Sequence, residues 1–251
     1  MRKYYLFGNW KMNKTVKEAV EYANCVKGKV NSSVEFGVFP PFTAISAFSE
    51  AVSGTNIFVG AQNMYYEEKG AFTGEISPIM LKELGVKYVL LGHSERRHIF
   101  NEDNTLINEK VLSALSHGLV PILCVGETLE ERQTGKTEEV IKKQLEIGLK
   151  GVQTSNFIIA YEPVWAIGTG VNATVEQASA VHKFIRAELN ELLHDEIGET
   201  ISILYGGSIK ESNFEELASN NEIDGGLVGG ASLDCVSFLT LYNILKKVKL
   251  S

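Results

Sequence analysis

Glu162 ends a short apolar run, NFIIAY, and is followed at once by Pro163 and then by the stretch VWAIGTG. A lone carboxylate in such a place can abstract a proton if water is kept from it. Desolvation raises a carboxyl pKa and makes the anion a stronger base. The stretch behind Glu162 offers the means. Trp165, Ala166 and Ile167 are costly to leave in water, Pro163 restricts one end, and Gly168 and Gly170 free the other. We read this segment as a hinged apolar lid over a general base.

Other chemistry-bearing residues stand in similar places. His93 follows Gly92 at the end of the run YVLLG, and Lys11 lies just past the run YYLFG, after Asn9 and Trp10. Lys11 suits a cation facing an anionic substrate; it is not placed like a Schiff-base lysine, which would project from inside a barrel. Gly206-Gly207-Ser208 and Gly229-Gly230 each lie between an apolar run and a helical pattern. Glycines let backbone amides approach a phosphate closely, and a helix N-terminus adds positive potential. The net charge is −7, which argues against nucleic acid or an anionic membrane as partner and requires a local positive field for any anion.

Two glycine motifs fail on spacing. Gly168-x-Gly170-x-x-Ala173 does not directly follow its strand, as a dinucleotide fingerprint must, and Gly135-Lys136-Thr137 has Glu130 where a P-loop needs its first glycine. No G-x-S-x-G elbow is present, and no second histidine sits at a strand end, so neither a serine triad nor a metal site is expected. His98, His117, His182 and His194 fall in or beside helical patterns and read as surface or core groups; Cys124, within an apolar run, reads as core.

These residues need strands to present them. Eight short apolar runs recur, YYLFG, VEFGVF, NIFVGA, YVLLG, LVPILCV, NFIIAY, ISILYGG and GGLVGG, as expected of strands buried on both faces. Helical patterns lie between them, and Thr15-x-x-Glu18 and Thr174-x-x-Gln177 read as capping boxes. The alternation predicts an α/β fold with a parallel sheet. Eight such units in 251 residues suit one closed (β/α)8 barrel over residues 1–251 better than a doubly wound open sheet. Barrel chemistry sits at the C-terminal strand ends, and the loops after the last two strands are the usual phosphate site.

No apolar run is long enough to span a membrane, and the apolar stretch near the N-terminus is too short for a signal peptide. The three cysteines, Cys25, Cys124 and Cys235, lie far apart and are odd in number; we read them as reduced thiols in a cytoplasmic protein.

From end to end the chain resembles the triosephosphate isomerases. The resemblance rests on FGNWKMN, GAQN, GAFTGEIS, LGHSERR, CVGE, AYEPVWAIGTG, LYGGSI and GLVGGASL, in this order. It implies a TIM barrel that interconverts dihydroxyacetone phosphate and D-glyceraldehyde 3-phosphate through an enediolate, in glycolysis and gluconeogenesis, with no metal and no organic cofactor. By resemblance, Glu162 is the catalytic base, His93 the neutral electrophile, and Asn9 and Lys11 bind substrate. Gly168, Ser208, Gly229 and Gly230 hold the phosphate, Ile167 and Leu227 clamp the base, and Glu95 orders Lys11. The segment from Gln62 to Glu75, with Thr73 at its tip, resembles a loop that reaches into a second subunit, which implies a homodimer. Two positions depart from the family pattern: Val171 stands where a lysine is frequent, and Val175 where a proline is common at a first helical turn. Both bear on lid opening, and neither removes a chemical group. A phosphoribosyl isomerase or an inactive binding scaffold are the competing readings; the first needs a roomier mouth, and the second predicts loss of Glu162, His93 or Lys11.

Overall fold

The computed structural model describes residues 2–166, 173–193 and 197–250. The eight apolar runs form eight strands: β1 (Tyr5–Asn9), β2 (Glu35–Phe39), β3 (Ile57–Ala61), β4 (Tyr88–Leu91), β5 (Val120–Val125), β6 (Ile158–Tyr161), β7 (Ile203–Tyr205) and β8 (Gly225–Val228). Each pairs in parallel with its neighbour in the chain. β8 returns to β1 with Tyr5 opposite Gly225, which closes the barrel. The helices run outside it: α1 (Val16–Val26), α2 (Phe42–Val52), α3 (Pro78–Glu83), α4 (Ser94–His98), α5 (Asn104–Ser116), α6 (Leu129–Gln133), α7 (Thr137–Gly148), α8 (Val175–Leu193), α9 (Glu211–Ser219) and α10 (Cys235–Leu250). This is a (β/α)8 TIM barrel.

Side-chain alternation along the strands divides the apolar residues into two cores. Tyr5, Phe7, Phe39, Tyr88, Leu90, Ile122, Cys124, Ile158, Ala160, Leu204 and Leu227 fill the barrel interior. The intervening residues, such as Leu6, Val89, Leu91, Leu123 and Ile159, pack outward under the helices. With both faces covered, a strand has no use for polar alternation, hence the continuous apolar runs.

Local signals hold where the side chain acts on its own backbone. The Thr15 hydroxyl accepts from Glu18 N–H and the Glu18 carboxylate accepts from Thr15 N–H, capping α1. Thr174 and Gln177 make the same exchange at the start of α8, so Val175 opens that helix without a proline. No helix among the described residues is long and apolar enough to cross a membrane.

The reading of three reduced thiols is corrected. Cys25 in α1 and Cys235 at the start of α10 are joined by a disulfide, with Cα atoms 6.3 Å apart. The two lie 210 residues apart in the chain, and only barrel closure makes the first and last helices neighbours. Chain spacing carries no trace of that adjacency. Cys124 stays free and fully buried, and burial raises its thiol pKa, so it is core and not a nucleophile.

Candidate active site

Glu162 continues the inward period of β6. Ile158 and Ala160 point into the barrel, and two residues on, Glu162 reaches the same side at the mouth. Its backbone N–H donates to the Val125 carbonyl at 2.7 Å. Two glycines make room for it. A Cβ on Gly126 would stand 1.8 Å from the Glu162 carbonyl oxygen, and one on Gly206 would stand 2.9 Å from Glu162 Cγ.

Gly126 is itself held by a residue that sequence reasoning missed. Gln144 of α7, buried, accepts from Gly126 N–H at 2.8 Å and donates to the Gly126 carbonyl at 3.1 Å. One amide thus satisfies both polar groups of a residue past the end of β5, where the sheet ladder has run out. A glutamine within an amphipathic helix gives no sequence signal for this.

His93 caps α4 with its own ring. Its Nδ1 accepts from the Glu95 backbone N–H at 3.2 Å. An Nδ1 that accepts carries no proton, so the hydrogen-bond pattern assigns the proton to Nε2. That Nε2 lies 3.1 Å from Glu162 Oε1. The other Glu162 oxygen accepts from Ser94 N–H at 2.9 Å.

Lys11 faces the same space. Its Nζ pairs with Glu95 Oε1 at 2.6 Å. Its backbone is left-handed, with φ at 52°. A non-glycine residue holds that conformation at a cost of about 1–3 kcal/mol, and only when its surroundings fix it. Here Asn9 Oδ1 accepts from Lys11 N–H at 3.0 Å, and Gln62 Nε2 donates to the Lys11 carbonyl at 2.8 Å. Asn9 and Gln62 therefore aim the lysine.

Asn9, Lys11, His93, Glu162, Ser208, Leu227, Gly229 and Gly230 line one cavity of about 350 Å³. Gly230 opens a 3-10 turn (Gly230–Leu233), and a Cβ there would meet nothing within 4 Å. The leading amides of such a turn have no acceptor within it.

Of the lid, only the first half is described. Trp165 Nε1 donates to Glu127 Oε1 at 2.9 Å, and the Arg132 guanidinium lies over the Trp165 ring at 4.7 Å. Glu127 is fully buried and also accepts from the Tyr161 hydroxyl and from Arg132. Glu127, the last residue of the CVGE motif, anchors the indole. Ile167, Gly168, Gly170 and Val171 lie outside the described residues.

Thr73 is far from this chemistry in kind: it is exposed at the tip of the loop after β3. Exposed apolar side chains occur on that loop and elsewhere on the surface, namely Phe72, Ile79, Met80, Ile99, Phe100 and Met12. Among the described residues no three His, Cys, Asp or Glu side chains gather as a metal site would need.

Comparison with known proteins agrees with this geometry. The family profile described as Triosephosphate isomerase matches residues 4–245. The chain is 51% identical over 246 residues to the triosephosphate isomerase of Carboxydothermus hydrogenoformans, covering 96% of this chain and 98% of the relative. It is 50% identical over 247 residues to that of Thermoanaerobacter sp. strain X514, covering 97% and 100%. It is 48% identical over 248 residues to that of Finegoldia magna, covering 97% and 99%. With a matching profile over nearly its whole length and relatives 48% to 51% identical along it, the chain belongs to the triosephosphate isomerase family.

Proposed function

We propose that Glu162, His93 and Lys11 carry out the reaction of the family, the interconversion of dihydroxyacetone phosphate and D-glyceraldehyde 3-phosphate. The enzyme is an isomerase, and the reaction runs through an enediolate. Glu162 takes a proton from C1 of the ketose while the His93 Nε2–H donates to the carbonyl oxygen. Negative charge develops on the two oxygens, and the Lys11 ammonium offsets it. Glu162 then returns the proton to C2, while the hydroxyl proton passes from O1 to O2 by way of His93 Nε2, which leaves C1 as the aldehyde. Each step needs a group already at hand, so no cofactor enters.

The observation that carries this reading is the 3.1 Å contact between His93 Nε2 and Glu162 Oε1 on one wall of the cavity. A base and a hydrogen-bond donor are thus set for adjacent substrate atoms. Ser208, Gly229, Gly230 and, on closure, Gly168 hold the phosphate through amides and a hydroxyl. Ile167 and Leu227 enclose the base, and Glu95 keeps Lys11 in place through their ion pair. One barrel domain over residues 1–251 carries the whole site.

We further propose a homodimer. The exposed Phe72, Ile79 and Met80 near Thr73, together with Met12, Ile99 and Phe100, support a face covered by a second copy. We assign the enzyme to the cytoplasm on the strength of its glycolytic reaction.

Turnover in D2O tests the base. A single carboxylate that exchanges with solvent before returning its proton puts deuterium on the receiving carbon of the product. Glu162→Gln keeps the shape and removes the base, so exchange and isomerisation should both stop. Wild-type exchange in a folded Glu162→Gln protein would assign the base elsewhere.

A further inference from the structure

We propose that Cys25 and Cys235 form a reversible thiol–disulfide couple whose state is read at the phosphate-binding turn. The inference rests on the reading of Gly229 and Gly230 as that turn. Cys235 opens α10, directly after the turn and one intervening residue, Asp234. Cys25 lies in the last turn of α1. Both are half-buried, so a small thiol or peroxide reaches them.

Ser232 is the hinge of the argument. Its side chain and its N–H both donate to the Gly229 carbonyl, at 2.7 and 2.9 Å, which shapes the turn. Its own carbonyl accepts from the Tyr22 hydroxyl at 2.8 Å and from Trp10 Nε1 at 3.2 Å. Tyr22 is one helical turn before Cys25 on α1, and Ser232 is three residues before Cys235. The turn and α1 are therefore joined twice, by a hydrogen bond and by a covalent bond. Trp10 stands between Asn9 and Lys11, so the same carbonyl also ties in the loop that carries the lysine. There is little slack: a Cβ on Gly8 would stand 2.8 Å from Ser232 Cβ.

The chemistry balances with common reagents. Hydrogen peroxide takes two electrons and two protons from the two thiols, giving one S–S bond and two waters. A dithiol reverses the step by exchange through a mixed disulfide, leaving as its own cyclic disulfide. Opening the bond leaves the turn and the start of α10 held to α1 by the Tyr22 hydrogen bond and packing. The turn amides are then less firmly aimed, while Glu162 and His93, held by β6 and α4, and Lys11, held by Asn9, Gln62 and Glu95, stay in place. Oxidation state should therefore change phosphate affinity and KM, and spare kcat. Packed elements transmit modest couplings, and an effect of about threefold is at their lower end.

The test uses the whole enzyme after peroxide or dithiothreitol, with Cys25→Ser and Cys235→Ser alongside. Peptide mapping without reduction reports the linkage independently of activity, and competitive inhibition by inorganic phosphate reports the turn. The expected result is a Cys25–Cys235 peptide after peroxide, with Ki for phosphate and KM both about threefold lower than in the reduced enzyme at equal kcat. Both serine variants should match the reduced enzyme and ignore either reagent. Two free thiols after peroxide would overturn the couple. A linked enzyme inhibited by phosphate as weakly as the reduced one would overturn the coupling alone. Phosphate that competes in neither state would overturn the phosphate-turn reading, and the proposed readout with it.

Discussion

His93 Nε2 and Glu162 Oε1 stand 3.1 Å apart, and each occupies the atom that the other's reaction partner requires. The histidine nitrogen proposed to face a carbonyl lies against the carboxylate, whose other oxygen accepts from Ser94 N–H. His93→Asn removes the donor at that point. Loss of a single donor to a developing oxyanion costs on the order of 10²–10³ in kcat, and that is the expected fall. Steady-state kinetics on the purified variant, with KM moving far less, would bear this out; near wild-type kcat would not.

Gln144 should matter although it touches no substrate. Gln144→Met keeps its volume and leaves Gly126 N–H and C=O buried without partners. Each such group costs about 1–3 kcal/mol, so thermal unfolding should move down by several degrees. Gly126 abuts the Glu162 backbone, and a small displacement follows. We expect kcat to fall about tenfold, less than the roughly 10²-fold of a 1 Å misplacement, with KM nearly constant. A less stable variant with unchanged kcat would make Gln144 a stability residue only.

His182 predicts an acid limb of stability. The ring is fully buried in α8, its Nδ1–H donates to the Glu222 carbonyl at 3.0 Å, and its Nε2 has no hydrogen-bond partner among the described residues. Burial pushes its pKa down to about 3 from 6.5. Between those values the unfolded chain binds a proton that the folded chain refuses, so stability falls as pH falls from 6.5 toward 3. One proton is worth about 1.4 kcal/mol per pH unit over that window. Urea unfolding of His182→Asn across it should show a shallower dependence by close to one proton. An unchanged slope would contradict the assignment.

Assembly is tested at Thr73. Thr73→Arg puts a bulky cation where a second copy should accept a small hydroxyl, and an unpaired buried charge is strongly unfavourable. Light scattering at micromolar concentration should report monomers of low activity. A dimeric, fully active Thr73→Arg protein would remove this loop from the interface.

What could be read from the sequence follows from the range of each interaction. The eight strands were legible because burial on both faces leaves continuous apolar runs. The caps at Thr15 and Thr174 were legible because a side chain bonds a backbone amide three residues on. Glu162, His93, Lys11 and the glycine turns stood out as reactive or permissive residues at strand ends, and all line one cavity except those outside the described residues. Contacts that depend on closure were not legible. Gln144 meets Gly126 across 18 positions and Tyr22 meets Ser232 across 210. Cys25 meets Cys235 only because β8 returns to β1.

The central claim is that Glu162 moves the proton, and Glu162→Asp tests it most directly. The substitution keeps the charge and withdraws the carboxylate by one methylene, while Gly126 and Gly206 still frame the backbone. A misplacement of about 1 Å costs on the order of 10²-fold, so kcat should fall by about that factor with KM changed far less. A folded Glu162→Asp enzyme with near wild-type kcat would show that the proton is carried by another group.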